Sequence, residues 1–591
     1  MIKSIFTKSN KNLLKYNNLT GGQVIYSKLL DHNVKDVFLY TGGAVMPLID
    51  AFYKGKINYY INTHEQSGGH AATAYAKSTG NPGVSIVTSG PGLTNSITAL
   101  TDATNDSTPF ILFSGNVPLS AVGTNAFQEC PSTDITRPIT KWSYCVKDVH
   151  ELPDVVDEAF KVCKDGKPGS VHIDLPKCIT AGKYSICNKK FNYDTNIIKS
   201  KTMNIVDLIN TEKLINNSKR PVILAGQGCN DYSTELRKFA IDGNIPVTTT
   251  IHAMGVFDEV HPLSLDFLGM HGSVAANYAI QNADLIIGLG TRFDDRITGA
   301  VEKYAPKAYE AFSKGKGGII HVNKNIKEIN SVINSHYNFN VDCSSFLRFI
   351  NVKYKSRDSW LKQINGWKND NPFRFAKDEN HMNTQEVISG INEYLLDKTN
   401  YIVTTGVGNH QMMSAQFIKW RHPKSFISSG SLGVMGVGLP YAIGCQIAHP
   451  DKLVIDIDGD GSFNHTLSEL KTVQNYNLPI KIAIMNDTNF SMVKAWEELF
   501  FNKQYTATDL NKNPNYEKLA ESFGIKGITC SDRKNLKSTI EYFLNYDKSI
   551  LCDFRVESNL CLPLVSPGSA LDDMILFGDK DVKINTDLPP S

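Results

Sequence analysis

No apolar run in the 591-residue sequence approaches the roughly 18 residues that cross a bilayer, so no membrane partner is expected. Charge of one sign is equally lacking. The 61 Lys and Arg face 59 Asp and Glu, the net charge is +2, and the lysines are scattered among acids. That leaves no basic footprint for nucleic acid. The 11 cysteines contain no C-x-x-C pair, which removes the usual zinc and dithiol frameworks and reads as reduced thiols of an intracellular compartment. There is no Gly-Lys-Ser/Thr P-loop, no short-period repeat and no low-complexity tract.

What is present is ordinary globular material, with 41% hydrophobic residues and 43 glycines. At roughly 150 residues per domain the length fits three to four domains. Three segments share a strand-glycine-helix grammar. The first, 19–180, opens on VIYSKLLDHN and the strand DVFLY. The second, 204–350, carries PVILAG, IPVTTT, DLIIGLG and GGIIHV. The third, 382–560, carries YIVTTG, SFISSG, LVIDIDGDG and IKIAIMND. Strands alternating with helices imply parallel sheets covered on both faces, with ligands at the carboxyl ends of the strands. The fold class is therefore α/β, with three doubly wound parallel-sheet domains. Residues 181–203 read as a linker, 351–381 as a second linker with local helix, and 561–591 as a C-terminal tail. Residues 1–18 are lysine-bearing, free of acids and dotted with Ser, Thr and apolar residues, the pattern of a short organellar transit segment. The expected location is intracellular, in the mitochondrial matrix if that segment acts as a leader and in the cytoplasm otherwise.

The densest chemistry lies in the third segment. A strand over 453–457 ends in Gly459-Asp460-Gly461, a helix is expected over 467–476, and a strand over 480–485 ends in Asn486-Asp487-Thr488-Asn489. Two strands thus bring oxygen ligands to one sheet edge, Asp487 following Asp460 by 27 residues. Carboxylate and amide oxygens suit Mg²⁺, which takes few protein ligands and completes its shell with phosphate oxygens. Glycines let the backbone approach a diphosphate, and a helix N-terminus favours anions. In the first segment THEQSGGH sets Glu65 just beyond a strand. His64 and His70 are six residues apart rather than four, so one helical face would not offer both to zinc.

This pattern resembles the thiamine diphosphate motif, and from about residue 19 to 577 the chain resembles the catalytic subunit of the acetohydroxyacid synthase (acetolactate synthase) family. The resemblance rests on LTGGQ, THEQSGGH, VTSGPGLTN, GTNAFQE, DLPK, LGMHG, NADLIIGLGTRFDDRITG, TTGVGNHQM, GSLGVMGVGLP, the GDG segment and MVKAWEELF. It implies thiamine diphosphate, Mg²⁺ and FAD as cofactors, and pyrimidine-binding, central FAD-binding and diphosphate-binding domains in that order. The implied reaction decarboxylates pyruvate and joins the two-carbon unit to pyruvate or 2-ketobutyrate, the first common step toward valine, leucine and isoleucine. Implied partners are a second copy or more of the chain, as homodimer or homotetramer, and a regulatory small subunit.

By the same resemblance Glu65 exchanges a proton with the cofactor's pyrimidine, while Gly43 and Gln128 face the reacting groups. Tyr40, Val407, Gly408, Asn409, His410, Met435, Gly459, Gly461, Ser462 and Met492 contact thiamine diphosphate. Asp460, Asp487 and Asn489 hold the metal, Asp487 standing where the family has an amide. Gly226, Gly228, Gly269, Met270, His271, Gly290, Arg292 and Asp342 line the FAD site. Arg296 receives the second keto acid's carboxylate, and Trp496 favours 2-ketobutyrate as acceptor. On residue type alone Met435 and Trp496 read as core packing, and Arg296 as a surface ion pair. Thr41 and Thr73 also depart from the family's proline and glutamate. With Asp487 they keep open one alternative, a low-activity paralogue acting as a partner subunit; Arg296 and Trp496 argue against the other, another thiamine-dependent 2-keto acid decarboxylase or oxidase.

Overall fold

The computed structural model describes residues 14–186, 191–195, 204–377, 380–557 and 560–579. The chain divides into two compact units. One comprises residues 1–197, 431–450 and 466–478; the other comprises 198–430, 451–465 and 479–591.

The first unit is built on six parallel strands, β1 (Asp36–Leu39), β2 (Asn58–Ile61), β3 (Gly83–Val87), β4 (Phe110–Asn116), β5 (Trp142–Cys145) and β6 (Ser170–Pro176), in the order β2-β1-β3-β4-β6-β5. Every residue of β3, β4 and β6 is buried. That is why these strands read as continuous apolar runs rather than as alternation. Helix Gly438–Ala448, almost wholly buried, crosses helix Glu65–Thr79 so closely that a Cβ on Gly444 would strike the Ala71 carbonyl. Leu14–Tyr16 forms a 3-10 turn in which Tyr16 is buried and its hydroxyl donates to Asp31 at 2.7 Å. Residues 14–18 therefore belong to this unit. The other residues of the expected leader, 1–13, lie outside the described residues.

The second unit holds two parallel sheets. β7 (Pro221–Ala225), β8 (Val247–Thr249), β9 (Ser264–Phe267), β10 (Leu285–Leu289), β11 (Gly318–Val322) and β12 (Tyr337–Phe339) run in the order β12-β11-β10-β7-β8-β9. β13 (Met382–Asn383), β14 (Tyr401–Thr405), β15 (Phe426–Ile427), β16 (Leu453–Gly459), β17 (Lys481–Asn486), β18 (Lys526–Cys530) and β19 (Ile550–Glu557) run β13-β19-β17-β16-β14-β15, with β18 also on β19. All three sheets are parallel and helix-covered, as the α/β reading expects.

The presumed linker 351–381 is more than a connector. It contains helix Asp358–Asp370, whose Trp360 is fully buried and donates its indole N–H to the Pro221 carbonyl at 3.2 Å. Trp360, Ile364 and Trp367 recur at i, i+4 and i+7, so the apolar stripe docks the helix although the segment is polar overall. Linker residues 187–190 and 196–203 lie outside the described residues. Residues 560–579 pack into the second unit, with Val565 donating its N–H to Met270 at 2.8 Å and Leu571 fully buried. No helix among the described residues is long and apolar enough to cross a membrane.

Candidate active site

Each sheet has one point at which its strand order reverses, and in open α/β sheets ligands bind at that crevice. In the first sheet it lies between β1 and β3, in the second between β7 and β10, in the third between β14 and β16. Tyr40 follows β1, Gly226 follows β7, Gly290 follows β10 and Gly459 ends β16, whereas Asp487 follows β17 and Asp342 follows the edge strand β12.

In the third sheet Gly459 is level with Met485 of the neighbouring strand, so Asp460 and Asp487 leave the same edge. Asp460 opens helix Asp460–Phe463 and is 2% exposed. Its oxygens accept from the Gly461 N–H at 2.9 Å, the Thr488 N–H at 2.8 Å and the Asn513 amide at 2.6 Å. Burial first, and the Asp487 carboxylate second, nevertheless push its carboxyl up to about 7. Burial likewise raises Asp487, which accepts from the Asn489 N–H at 3.1 Å and from the Ser491 hydroxyl. A buried acid and a half-buried one, both raised by desolvation and the first raised further by the second, form a site in want of a cation. Among the described residues no cluster of three His, Cys, Asp or Glu forms a metal cage. Two carboxylates that leave the rest of the shell to phosphate oxygens and water fit Mg²⁺, whereas a metal needing an all-protein shell would not be served.

Across the crevice, β14 leads through Val407 and Gly408 into helix Asn409–Phe417. His410 Nε2 lies 3.4 Å from Asp458 Oδ1, and both His410 Nε2 and Asp458 Oδ2 are buried without a hydrogen-bond partner. Ser462 is buried beside them, since a Cβ on Gly406 would meet both Asp458 and Ser462. Met492 and Trp496 lie on helix Ser491–Phe500, with Trp496 half-buried against Phe500 at a ring separation of 5.1 Å.

In the first sheet Tyr40 follows β1 and Gly90 follows β3, flanking the reversal point. A Cβ on Gly43 would meet nothing within 4 Å, so the backbone there borders open space. Gln128 has φ +61 and packs its backbone where a Cβ of Gly90 would fall. Thr88 Oγ1 is buried and unpartnered at the same edge. Glu65 is the first residue of helix Glu65–Thr79, half-buried, and accepts from the Asn95 amide at 3.0 Å. His64 caps that helix and His70 is fully buried within it, so no zinc pair forms. Met435 is half-buried in the segment before helix Gly438–Ala448. Glu65 and Met435 belong to the first unit and Asp460 to the second.

At the second sheet's reversal point a Cβ on Gly226 would strike the Gly290 carbonyl, and one on Gly228 the Gly290 Cα. These glycines let two loops touch. Thr249 Oγ1, Thr291 Oγ1 and Asn230 Oδ1 are buried and unpartnered along this edge, which fits a polar ligand lying over it. Gly269 accommodates the Arg296 carbonyl, and Met270 donates its N–H to that carbonyl at 3.0 Å. His271 is driven down to about 4 by burial and is neutral, its Nδ1 donating to the Cys561 carbonyl at 3.2 Å. Arg292 pairs with Asp294 at 3.1 Å. Arg296 is 61% exposed and touches Met270 Sδ and Asp295, leaving its guanidinium open to a carboxylate. Asp342 spends both oxygens as a helix cap, accepting from the Ser345 N–H and hydroxyl at 2.8 and 2.7 Å. Capping alone accounts for an acid at that position.

Sequence reading missed Asn95, Asn513 and Glu469. Asn95 closes VTSGPGLTN and could have been flagged, but nothing local marks the other two.

Three family descriptions match in succession. "Thiamine pyrophosphate enzyme, N-terminal TPP binding domain" covers residues 19–136, the central domain covers 210–350, and the C-terminal TPP binding domain covers 406–554. Fold and site together define a thiamine pyrophosphate-dependent enzyme. The chain is 41% identical to the mitochondrial acetolactate synthase catalytic subunit of Saccharomyces cerevisiae, over 96% of this chain and 85% of that one. It is 37% identical to acetolactate synthase 1, chloroplastic, of Nicotiana tabacum, over 95% and 85%. To the acetolactate synthase large subunit of Porphyra purpurea it is 36% identical, over 94% and 95%. The chain belongs to the acetolactate synthase family, whose enzymes catalyse a thiamine-dependent condensation.

Proposed function

We propose that the chain decarboxylates pyruvate and condenses the two-carbon unit with pyruvate or 2-ketobutyrate, the first common step of valine, leucine and isoleucine synthesis. The observation that carries this reading is the Asp460–Asp487 pair at the carboxyl ends of β16 and β17, with His410 close to Asp487. Asp460, Asp487 and the Asn489 carbonyl would hold Mg²⁺, and the edge from Tyr40 to Gly43 with Gln128 would face the reacting groups. Bound thiamine diphosphate supplies the electron sink for the pair released with CO₂. Glu65, anchored by Asn95, holds and returns a proton at the pyrimidine nitrogen. Arg296, free of any strong partner, is suited to the acceptor's carboxylate, and Trp496 to sizing its side chain.

FAD would lie along the second sheet's edge, where the unpartnered Thr249, Thr291 and Asn230 oxygens offer it hydrogen bonds. The domains are then 19–180 for the pyrimidine, 204–350 for FAD and 382–560 for the diphosphate. The names of the yeast and red-algal relatives, catalytic and large subunit, support a regulatory small subunit on a homodimeric or homotetrameric core. The mitochondrial yeast relative supports import into the matrix.

A two-substrate assay measuring acetolactate, acetaldehyde and acetate tests the reading. Acetolactate should dominate. Acetaldehyde or acetate as main product would replace it with a decarboxylase or an oxidase, and no product at all with a partner subunit.

A further inference from the structure

Glu469 lies eight residues beyond Gly461, in the turn that leads into helix Leu470–Asn475, and is fully buried. A carboxylate with no access to water must spend its lone pairs on donors. Three of its four donors come from two residues. Oε2 accepts from the Asn62 amide at 3.0 Å. Oε1 accepts from the Thr63 N–H at 3.0 Å and the Thr63 hydroxyl at 2.5 Å. The fourth donor, the Thr472 hydroxyl at 2.6 Å, comes from Glu469's own helix and fixes the carboxylate itself. Neighbours complete the clamp, for the Ile61 N–H donates to the Tyr476 hydroxyl at 2.8 Å and Thr63 Oγ1 lies 3.0 Å from Ser468 Oγ. Residues 61, 62 and 63 are thus each held by the segment 468–476, immediately before His64 caps the helix that Glu65 begins.

We propose that Glu469 is a positioning residue for Glu65. It fixes the backbone from which Glu65 projects, while Asn95 fixes the carboxylate head. The assignment rests on the reading of Glu65 as the proton-exchanging group. A glutamine at 469 keeps the size but has one acceptor oxygen, so at least one of the Asn62 and Thr63 anchors is lost whichever way the amide turns. Misplacing a catalytic group by about 1 Å costs on the order of 10²-fold in rate.

The test is a double-mutant cycle of Glu469→Gln with Glu65→Gln. Its readouts are hydrogen–deuterium exchange at the thiazolium carbon of bound cofactor, kcat, and backbone amide exchange at residues 61–66 in cofactor-free protein. Glu469→Gln alone should slow thiazolium exchange and kcat by on the order of 10²-fold with little change in KM, and speed the Thr63 amide. In the Glu65→Gln background it should add less than about twofold. Thr63→Val, which removes one anchor from a half-exposed site, should move the same readouts in the same direction, and decides the matter if Glu469→Gln does not fold. Full additivity with Glu65→Gln would overturn the proposal, because Glu469 would then act on the fold at large. So would wild-type thiazolium exchange in Glu469→Gln or, failing that variant, in Thr63→Val. Wild-type exchange in Glu65→Gln itself would instead bring down the reading of Glu65.

Discussion

Removing the Asp487 carboxylate from beside the buried Asp460 should change how the protein takes up Mg²⁺ with pH. Asp460 accepts three hydrogen bonds, each of which favours its charged form, yet its carboxyl stands at about 7 against an ordinary 3.8. Burial and the Asp487 charge outweigh those bonds. Between those two values the folded protein holds a proton that the unfolded chain has released. The stability linked to it is full below about pH 4 and is lost as pH rises through 7, in total on the order of 4 kcal/mol. A divalent cation needs Asp460 ionised, so it must displace that proton. In cofactor-free protein the Mg²⁺ affinity should therefore fall about tenfold per pH unit below 7 and level off above about pH 8. Asp487→Asn removes the second cause of the shift. The pH dependence should move to lower pH, and the plateau affinity should weaken by at most about 10⁶-fold, the Coulomb value for a divalent cation and one carboxylate at about 4 Å and an effective dielectric near 20. With Mg²⁺ saturating, the same variant should bind thiamine diphosphate more tightly, because a charge that repels the diphosphate is gone. Calorimetric titration in two buffers of different ionisation enthalpy counts the protons directly. A pH-independent wild-type affinity with no proton released would refute the pairing, as would an Asp487→Asn protein unchanged toward both ligands.

Glu65→Gln should keep fold and cofactor while slowing thiazolium hydrogen exchange by about 10²–10⁴-fold, read by NMR of the bound cofactor. Mixing inactive Glu65→Gln with inactive Asp460→Ala protein should restore part of the acetolactate activity if each cofactor site draws on two chains; no recovery despite demonstrated subunit exchange would exclude a shared site. Gly444→Ala drives a Cβ into the Ala71 carbonyl where two buried helices cross, and should cost roughly 1–3 kcal/mol in urea unfolding. Arg296→Ala should raise the KM for the acceptor keto acid while leaving cofactor binding intact, as measured by cofactor fluorescence and steady-state kinetics.

The sequence by itself determined the pieces whose physics is local. Apolar runs such as PVILAG and LVIDIDGDG read as buried parallel strands, and glycines with acids at their ends put oxygen ligands on a sheet edge. The interval from Asp460 to Asp487 is one strand-helix-strand unit, so their meeting was legible without coordinates. Tertiary structure decided what depends on distant segments. Residues 431–450 and 466–478 join the first unit, although the chain on either side of them belongs to the second. A polar stretch hides the Trp360 helix because three apolar positions suffice to dock it. Asp342 is occupied by its own helix cap, and Gly226, Gly228 and Gly290 by one another, uses that residue type cannot reveal. Glu469 meets Thr63 across 406 residues of chain. No pattern near either residue encodes that contact, because strand order and helix crossing bring them together, and burial then makes each hydrogen bond obligatory.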